Sequence, residues 1–380
     1  MSCLVVPEYC LIDNDAWLKK EVLAWQRHAS IAIDTEFVRT NTYYPKLGLI
    51  QVAVDGVYYL IDPLEIKDHT PLRELFENPA VVKVFHACSE DIEVFQSHLG
   101  VLPTPIFDTQ IGAALMGHGA AVGYKNLVGQ LFDIDLPKEE QRSDWLRRPL
   151  SKTQLEYALL DVVYLETIYQ QQLLSLKTNN RLVWAQEESN LLLSKQRQGL
   201  DPQSYYQRIK GAARLSPEAL AVLQALAVWR EYVVRDRDMP RGFLLKDHTL
   251  VALAEQQPRN LQDLAGVEGI HSRLVRQQGK ELLETIERVL TERHCVPPLE
   301  DVLSKQKRSV LKKMQSLVAQ KAENLQIEAG TLMSRKLLLK LLTLVESSGQ
   351  LAFPPEMGYW KQDLLGEDLE NLLTNLGVLP

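Results

Sequence analysis

Residues 30–37, SIAIDTEF, constrain the chain more than any other stretch. Their β-branched residues alternate with small and polar ones, which predicts a strand. At period 2, Ile31, Ile33 and Phe37 share one face, turned to a core, and Asp34 and Glu36 share the other. Two carboxylates side by side in a domain interior are costly, because each opposes the ionisation of the other. A divalent cation removes that cost. The plainer alternative is an exposed polar strand face, so the strand needs partners before it implies chemistry.

Those partners are sought along a chain that begins as α/β. Residues 47–54 and 57–61 read as strands joined by Asp55-Gly56, a hairpin signal because both central residues need positive φ. Residues 81–86 and 106–108 read as two more strands. Ser89 is placed to cap a helix with Glu90 and Asp91 in its first turn. Helices are expected at 109–116 and 124–132, and a charged, Pro-flanked loop at 136–149. Ser151-Lys-Thr-Gln154 fits a capping box opening one long helix to Leu174. Beyond about Arg181 the strand signals stop. Ser216-Pro217 starts a series of helices to about Arg293, Val296-Pro-Pro298 marks a boundary, and the rest, from Glu300, is again helical.

Composition excludes several classes. A chain of 380 residues, 46% hydrophobic and 24% charged, suits two or three globular domains. No apolar run is long enough to span a membrane. Residues 1–10 show no basic segment followed by an apolar one, so no secretory leader is expected. Cys3, Cys10, Cys88 and Cys295 form no C-x-x-C pair, which argues against zinc and suits a reducing cytoplasm. The net charge of −7 argues mildly against a nucleic-acid partner. Lys305, Lys307, Arg308, Lys312, Lys313 and Lys321 form a basic run whose plain reading is a solvated helix face.

Tyr157 and Asp161, four apart, stack on one face of the predicted helix. Either this pair or Asp91 alone means little. Together with Asp34 and Glu36 they make four acids and a tyrosine within one α/β domain. Oxygen-only ligands select hard ions such as Mg²⁺ or Mn²⁺.

With these residues in view, the chain resembles the ribonuclease D family, of the DEDD exonucleases in their tyrosine form. The first motif is Ile33-Asp-Thr-Glu-Phe37, followed by Leu49-Ile-Gln51. The second is His86-Ala-Cys-Ser-Glu-Asp91 with Ile92-Glu-Val-Phe95, where Cys88 replaces an expected glycine. The third is Tyr157-Ala-Leu-Leu-Asp161, preceded by Ser143-Asp-Trp145. Trp229-Arg230, Asp238-Met-Pro240, residues 245–250 (LKDHTL), Pro258 and residues 261–270 are similar to an HRDC domain. Gly358-Tyr-Trp-Lys361 suggests a second, divergent copy.

The resemblance implies a ribonuclease H-like α/β nuclease domain with a mixed sheet flanked by helices (1–180), a helical connector (181–212), and two all-α HRDC-like domains (213–295 and 296–380). It implies a 3′→5′ exoribonuclease holding two divalent ions, Mg²⁺ or Mn²⁺, through Asp34, Glu36, Asp91 and Asp161, with Tyr157 orienting the attacking water. It further implies a monomer acting on transfer-RNA precursors and other structured RNAs. Phe37 is a candidate for stacking on the terminal base or for core packing. Gln51 and His86 are candidates for sugar or phosphate contacts, His86 equally for a structural role. Arg230, Arg235, Arg237, Arg241 and Lys246 are candidate phosphate contacts, and the Gly266–Gly269 turn offers N–H groups to a phosphate or is a plain turn. A DNA exonuclease of proofreading type, or a non-catalytic RNA-binding scaffold, would share much of this pattern. The paired HRDC-like domains favour RNA over DNA, and the intact set of acids speaks against the scaffold.

Overall fold

A computed structural model describes residues 6–137, 140, 143–199, 201–299 and 303–379. Residues 1–5, Cys3 among them, part of the 136–149 loop and Glu300 lie outside the described residues. The chain divides into two compact units. One comprises Met1–Val38, Lys46–Arg197 and Lys305–Pro380, the other Arg39–Pro45 and Gln198–Ser304.

The first unit is built on a mixed sheet. Its strands are β1 (Cys10–Ile12), β2 (Ser30–Val38), β3 (Lys46–Val54), β4 (Val57–Ile61), β5 (Val82–Phe85) and β6 (Ile106–Asp108), in the order β1-β4-β3-β2-β5-β6. β2, β3 and β4 form an antiparallel meander, and β1, β5 and β6 add parallel neighbours. The β3–β4 turn is the expected one: Asp55 and Gly56 have φ of 51° and 74°. One sheet face, carrying Ile31, Ile33, Ile50 and Val52, is buried beneath α1 (Asp15–Trp25), α2 (Thr70–Glu77) and α3 (Ser89–Leu99). These helices contribute Leu18, Trp25, Phe76 and Phe95 to the same core. Each such side chain stabilises the fold by roughly 1.5–3 kcal/mol. The short β1 and the helices α1 and α2 were not evident as elements in the sequence.

Helices α4 (Thr109–Leu115), α5 (Tyr124–Phe132), α6 (Lys152–Val163), α7 (Leu165–Thr178) and α8 (Leu182–Gln198) follow the sheet. The Ser151/Gln154 capping box is formed. The single long helix expected after it is instead two, because the chain breaks at Tyr164. There the backbone N–H turns to the Tyr124 hydroxyl at 3.1 Å. Nor does Ser89 cap α3. It lies inside the first turn, and Asp108 holds the approach to the helix by accepting from Ala87 N–H (2.9 Å) and Cys88 N–H (3.0 Å).

The second unit packs α9 (Pro217–Asp236), α10 (Arg241–Leu244), α11 (Asp247–Gln256), α12 (Leu261–Gly266) and α13 (Ser272–Thr291) around Leu220, Leu226, Leu250, Leu264, Leu282 and Ile286. Ser216 caps α9 and Pro217 opens it, as expected. The strap 39–45 belongs to this unit: Asp238 accepts from the N–H groups of Tyr43 and Tyr44 at 2.9 Å each.

The chain then returns to the first unit with α14 (Lys305–Asn324), α15 (Ala329–Leu332), α16 (Arg335–Ser348) and α17 (Tyr359–Asn375). The Gly358–Lys361 motif fastens α17 to α8. Glu187 accepts from Tyr359 and Trp360 N–H, Glu188 from the Trp360 indole (2.7 Å), and Lys361 pairs with Glu188 at 2.8 Å. Trp184 stacks on Trp360 with ring centroids 4.5 Å apart.

Candidate active site

The second sheet face has a different character from the first. In register, Asp34 lies opposite Gln51, and Gln51 opposite Leu60; Glu36 lies opposite Leu49. Leu49 and Leu60 pack with Trp145 and Ala158, so α6 covers this face and carries Tyr157 and Asp161 to it. Asp91 arrives from the first turn of α3, just past the end of β5. It accepts a 2.5 Å hydrogen bond from the hydroxyl of Thr35, the residue between the two strand acids.

Burial is the first cause of a raised pKa for each of the four acids. For Asp34, Glu36 and Asp161 other acids of the group come next, whereas for Asp91 the Thr35 hydrogen bond does. Asp34 is raised well above the usual carboxylate range by burial and then by Asp91, Asp161 and Glu36. Glu36 is raised to about 9 by burial, then by Asp161 and Asp91. Asp161 is raised to about 7 by burial and Asp91. Asp91, raised to about 6 by burial, is held there partly by the opposing Thr35 hydrogen bond. Asp34 and Glu36 keep some accessible surface, yet protein atoms packed around them withdraw most of their hydration.

A hard divalent cation is the group that such an all-oxygen donor set suits. Its charge would offset both the desolvation and the mutual repulsion. Among the described residues, no three of these side chains converge on one point at ligating distance as they stand. The fit is therefore one of donor chemistry and charge.

Several contacts around the site have no signature in the sequence. Arg148 forms a two-pronged pair with Asp62 (2.5 and 2.6 Å) and donates to the carbonyls of Gly48 (2.7 Å) and Trp145 (2.8 Å). This latches the 143–150 segment onto the sheet, with the Trp145 ring 6.3 Å from that of Tyr157. Gly48 makes the approach possible, since a Cβ there would lie 2.6 Å from the Trp145 carbonyl oxygen. Asp108, buried at 2% exposure, anchors the second motif. Its partner Ala87 has φ of 60°, whereas Cys88 has φ of −69°, so the cysteine occupies its position without backbone strain. The Tyr124 hydroxyl accepts from Tyr164 N–H and lies in the field of Asp161 and Asp34, which help to raise its pKa after burial.

The candidate substrate contacts divide. Gln51 is fully buried next to Asp34, and neither amide atom has a protein partner. Phe37 packs against the core beneath the sheet. His86 is engaged through both ring nitrogens, with the Thr109 hydroxyl (2.9 Å) and the Val122 carbonyl (2.9 Å). A nitrogen facing a carbonyl must carry the proton, so Nε2–H donates; burial lowers the His86 pKa and favours this neutral form.

In the second unit the expected phosphate contacts need correction. Arg230 is fully buried and donates to the Leu245 carbonyl and Asp247 (2.7 Å each), so it reaches no phosphate. Arg241 pairs with buried Glu231 and donates to the Tyr43 hydroxyl; Arg235 lies 3.6 Å from Glu231. Arg237 is exposed beside Gln278, and Lys246 is exposed. In the turn, the N–H groups of Val267 and Ile270 are spent on the carbonyls of Leu264 and Val267.

Residues 9–177 match a 3′–5′ exonuclease family and residues 219–286 the HRDC domain. Ribonuclease D of Pseudomonas paraeruginosa is 39% identical over 372 residues, 97% of this chain and 99% of the relative. Ribonuclease D of Escherichia coli is 36% identical over 369 residues, 96% of this chain and 98% of the relative. The crystal structure of the Escherichia coli enzyme, described as an exoribonuclease involved in structured RNA processing, superposes with a TM-score of 0.89 at 35% identity, covering 97% of this chain and 99% of that one. Among the described residues, no helix is long and apolar enough to cross a membrane. A likeness that runs through the nuclease sheet, the HRDC helices and the helices beyond them makes this chain a member of the ribonuclease D family of divalent-metal-dependent 3′–5′ exoribonucleases.

Proposed function

We propose that Asp34, Glu36, Asp91 and Asp161 hold two divalent ions, Mg²⁺ or Mn²⁺, and that Tyr157 orients the attacking water. The observation that carries this reading is the raising of Asp34 and Glu36, beyond the effect of burial, by Asp91, from α3, and Asp161, from α6. Asp34, which feels the other three acids, is the residue suited to touch both ions; Glu36 and Asp161 would complete one ligand set and Asp91 the other. Ions in that setting supply a Lewis acid for a phosphate oxygen and lower the pKa of water. The chain's own task is to draw the four side chains together by rotamer changes and to keep the reacting phosphate in line. A phenol, with a pKa of about 10, is a weak base at neutral pH. Tyr157 therefore acts by position, its ring set by Trp145 and its place on α6 one turn before Asp161. Gln51, without a protein partner beside Asp34, is the best-placed of the candidate substrate contacts.

The product is a nucleoside 5′-monophosphate. The substrates are structured RNAs with short 3′ tails, transfer-RNA precursors among them, and the enzyme works as a monomer. The free thiols of Cys10, Cys88 and Cys295 are in keeping with a reducing cytoplasm. The nuclease domain ends near residue 180, with HRDC-like domains at 213–295 and 296–380.

A 3′-extended transfer RNA incubated with Mg²⁺, with Mn²⁺ or with EDTA tests the reading, beside Asp34→Asn. Stepwise loss of 5′-monophosphates, abolished by EDTA and by the substitution, is expected. Shortening that survives Asp34→Asn would remove these acids from the site.

A further inference from the structure

The arginines that the sequence offers for phosphate are largely engaged within the second unit, whereas four of the six cations in the basic run of α14 are not. Lys305, Arg308, Lys312 and Lys313 are all exposed. Among the described residues, none of the four makes an ion pair. At 100° per residue they fall on one side of α14, opposite Val310, Leu311, Met314 and Val318, which are buried. Lys307 and Lys321, off that side, are paired with Glu346 (2.9 Å) and Asp368 (2.5 Å). From Lys305 to Ala322 the helix contains no acid.

A helix face that is merely solvated interleaves its charges. On α13 both signs share one helix: exposed Arg273, Arg276 and Lys280 are followed by exposed Glu281, Glu284 and Glu287, and Lys280 pairs with Glu284 at 3.6 Å. On α14 four cations stand unneutralised in a chain of net charge −7. Such a concentration of one sign costs self-repulsion and is relieved by a polyanion. The four span about 12 Å along the axis at 1.5 Å per residue. Their long side chains, ending in mobile charged heads, suit a repeating phosphate backbone better than a single anion.

We propose that the outer face of α14 binds the phosphate backbone of the RNA substrate, upstream of the 3′ end that is hydrolysed. This rests on the RNA-degrading reading of the acid site but adds a surface that neither the exonuclease match (9–177) nor the HRDC match (219–286) covers. Contacts of this kind set affinity and orientation without reading sequence.

The test uses the full chain and the fourfold variant Lys305→Glu, Arg308→Glu, Lys312→Glu, Lys313→Glu, with a fourfold Gln variant as the milder change. Binding to a 3′-extended transfer RNA is measured in EDTA across a salt series, and hydrolysis of an oligonucleotide of a few nucleotides in Mg²⁺. The Glu variant should weaken RNA binding by roughly a hundredfold at low salt and flatten the log–log salt dependence by up to about 3. The Gln variant should fall between it and the wild type. Short-oligonucleotide kcat/KM and the thermal midpoint should stay as in the wild type. Unchanged RNA affinity and salt slope in a folded Glu variant would overturn the proposal. So would unchanged RNA affinity together with loss of binding to phosphatidylserine vesicles, which would reassign the face to an anionic membrane. A wild type that binds RNA through this face but does not hydrolyse the short oligonucleotide would instead strike the reading of the acid site.

Discussion

In the second unit the buried carboxylate of Glu231 is met by Arg241, by the Tyr43 hydroxyl at 3.2 Å and by Arg235, while Arg230 beside it is met by Asp247 and a carbonyl. In the first unit Asp34, Glu36 and Asp161 are met chiefly by other acids of the group and Asp91 by the Thr35 hydroxyl, and no lysine or arginine is among their principal influences. Both groups sit in poorly hydrated surroundings. The first is neutralised by the chain itself, so its charges secure packing: they tie the strap 39–45 to α9 and α10. The second is left uncompensated, which lowers stability and reserves the site for a cation brought from outside. Buried charge that the protein neutralises is architecture, and buried charge that it does not neutralise points to function.

The sharpest way to break this contrast is to remove one charge from each group without changing size. Glu36→Gln should lower hydrolysis by on the order of 10³, about 4 kcal/mol of transition-state stabilisation. In EDTA its thermal midpoint should hold steady or rise, because a repelling carboxylate has gone. Glu231→Gln should do the reverse. Breaking a buried ion pair costs about 3–5 kcal/mol, and the value here should be near the lower end, since Arg235 and Arg241 each keep 29% of their side-chain surface in water. Short-oligonucleotide hydrolysis by the folded fraction should survive. Paired measurements of rate and unfolding midpoint decide the matter: if Glu36→Gln destabilises the metal-free protein as much as Glu231→Gln does, the two groups are not different in kind.

A smaller effect tests whether the acid site depends on its surroundings as well as its charges. Gly48→Ala would press a methyl group to within 2.6 Å of the Trp145 carbonyl oxygen and 2.7 Å of the Trp145 Cβ. Overpacking of this kind costs about 1–3 kcal/mol. The displaced segment would disturb Tyr157 through Trp145, so kcat should fall more than KM rises. A variant with wild-type kcat would show that Trp145 does not set the tyrosine.

The acids were legible because local geometry aligns them: period 2 on β2 for Asp34 and Glu36, and one helical turn on α6 for Tyr157 and Asp161. The hairpin and the Ser151 and Ser216 caps were legible for the same reason, each being specified within a few residues. What escaped depends on residues far apart in sequence. The α6–α7 break is made by Tyr124, forty positions before Tyr164. The latch joins Asp62 to Arg148. Arg230 and Arg241 read as exposed phosphate ligands because an arginine on a helix gives no sign of the carbonyl or carboxylate that will enclose it. The same limit applied in reverse on α14, where partners for Lys307 and Lys321, but not for their neighbours, come from α16 and α17.

The finest probe of the contrast is pH. In the folded metal-free protein burial and neighbouring acids raise Asp91 to about 6, Asp161 to about 7 and Glu36 to about 9. In the unfolded chain the same groups titrate near 4. Between those values the folded state holds more protons than the unfolded one, so these groups reduce stability progressively as pH rises from about 4 to about 9. Other groups titrate over the same range, and the informative quantity is the difference between wild type and Glu36→Gln in EDTA. Urea unfolding at pH 5 and pH 8 should show the variant gaining on the wild type at the higher pH. Saturating Mg²⁺ should reverse the order, by stabilising the ionised acids of the wild type more than the three that remain in the variant. A difference that is flat with pH would mean that Glu36 titrates as an ordinary exposed carboxylate, and the uncompensated cluster would lose its most strongly shifted member.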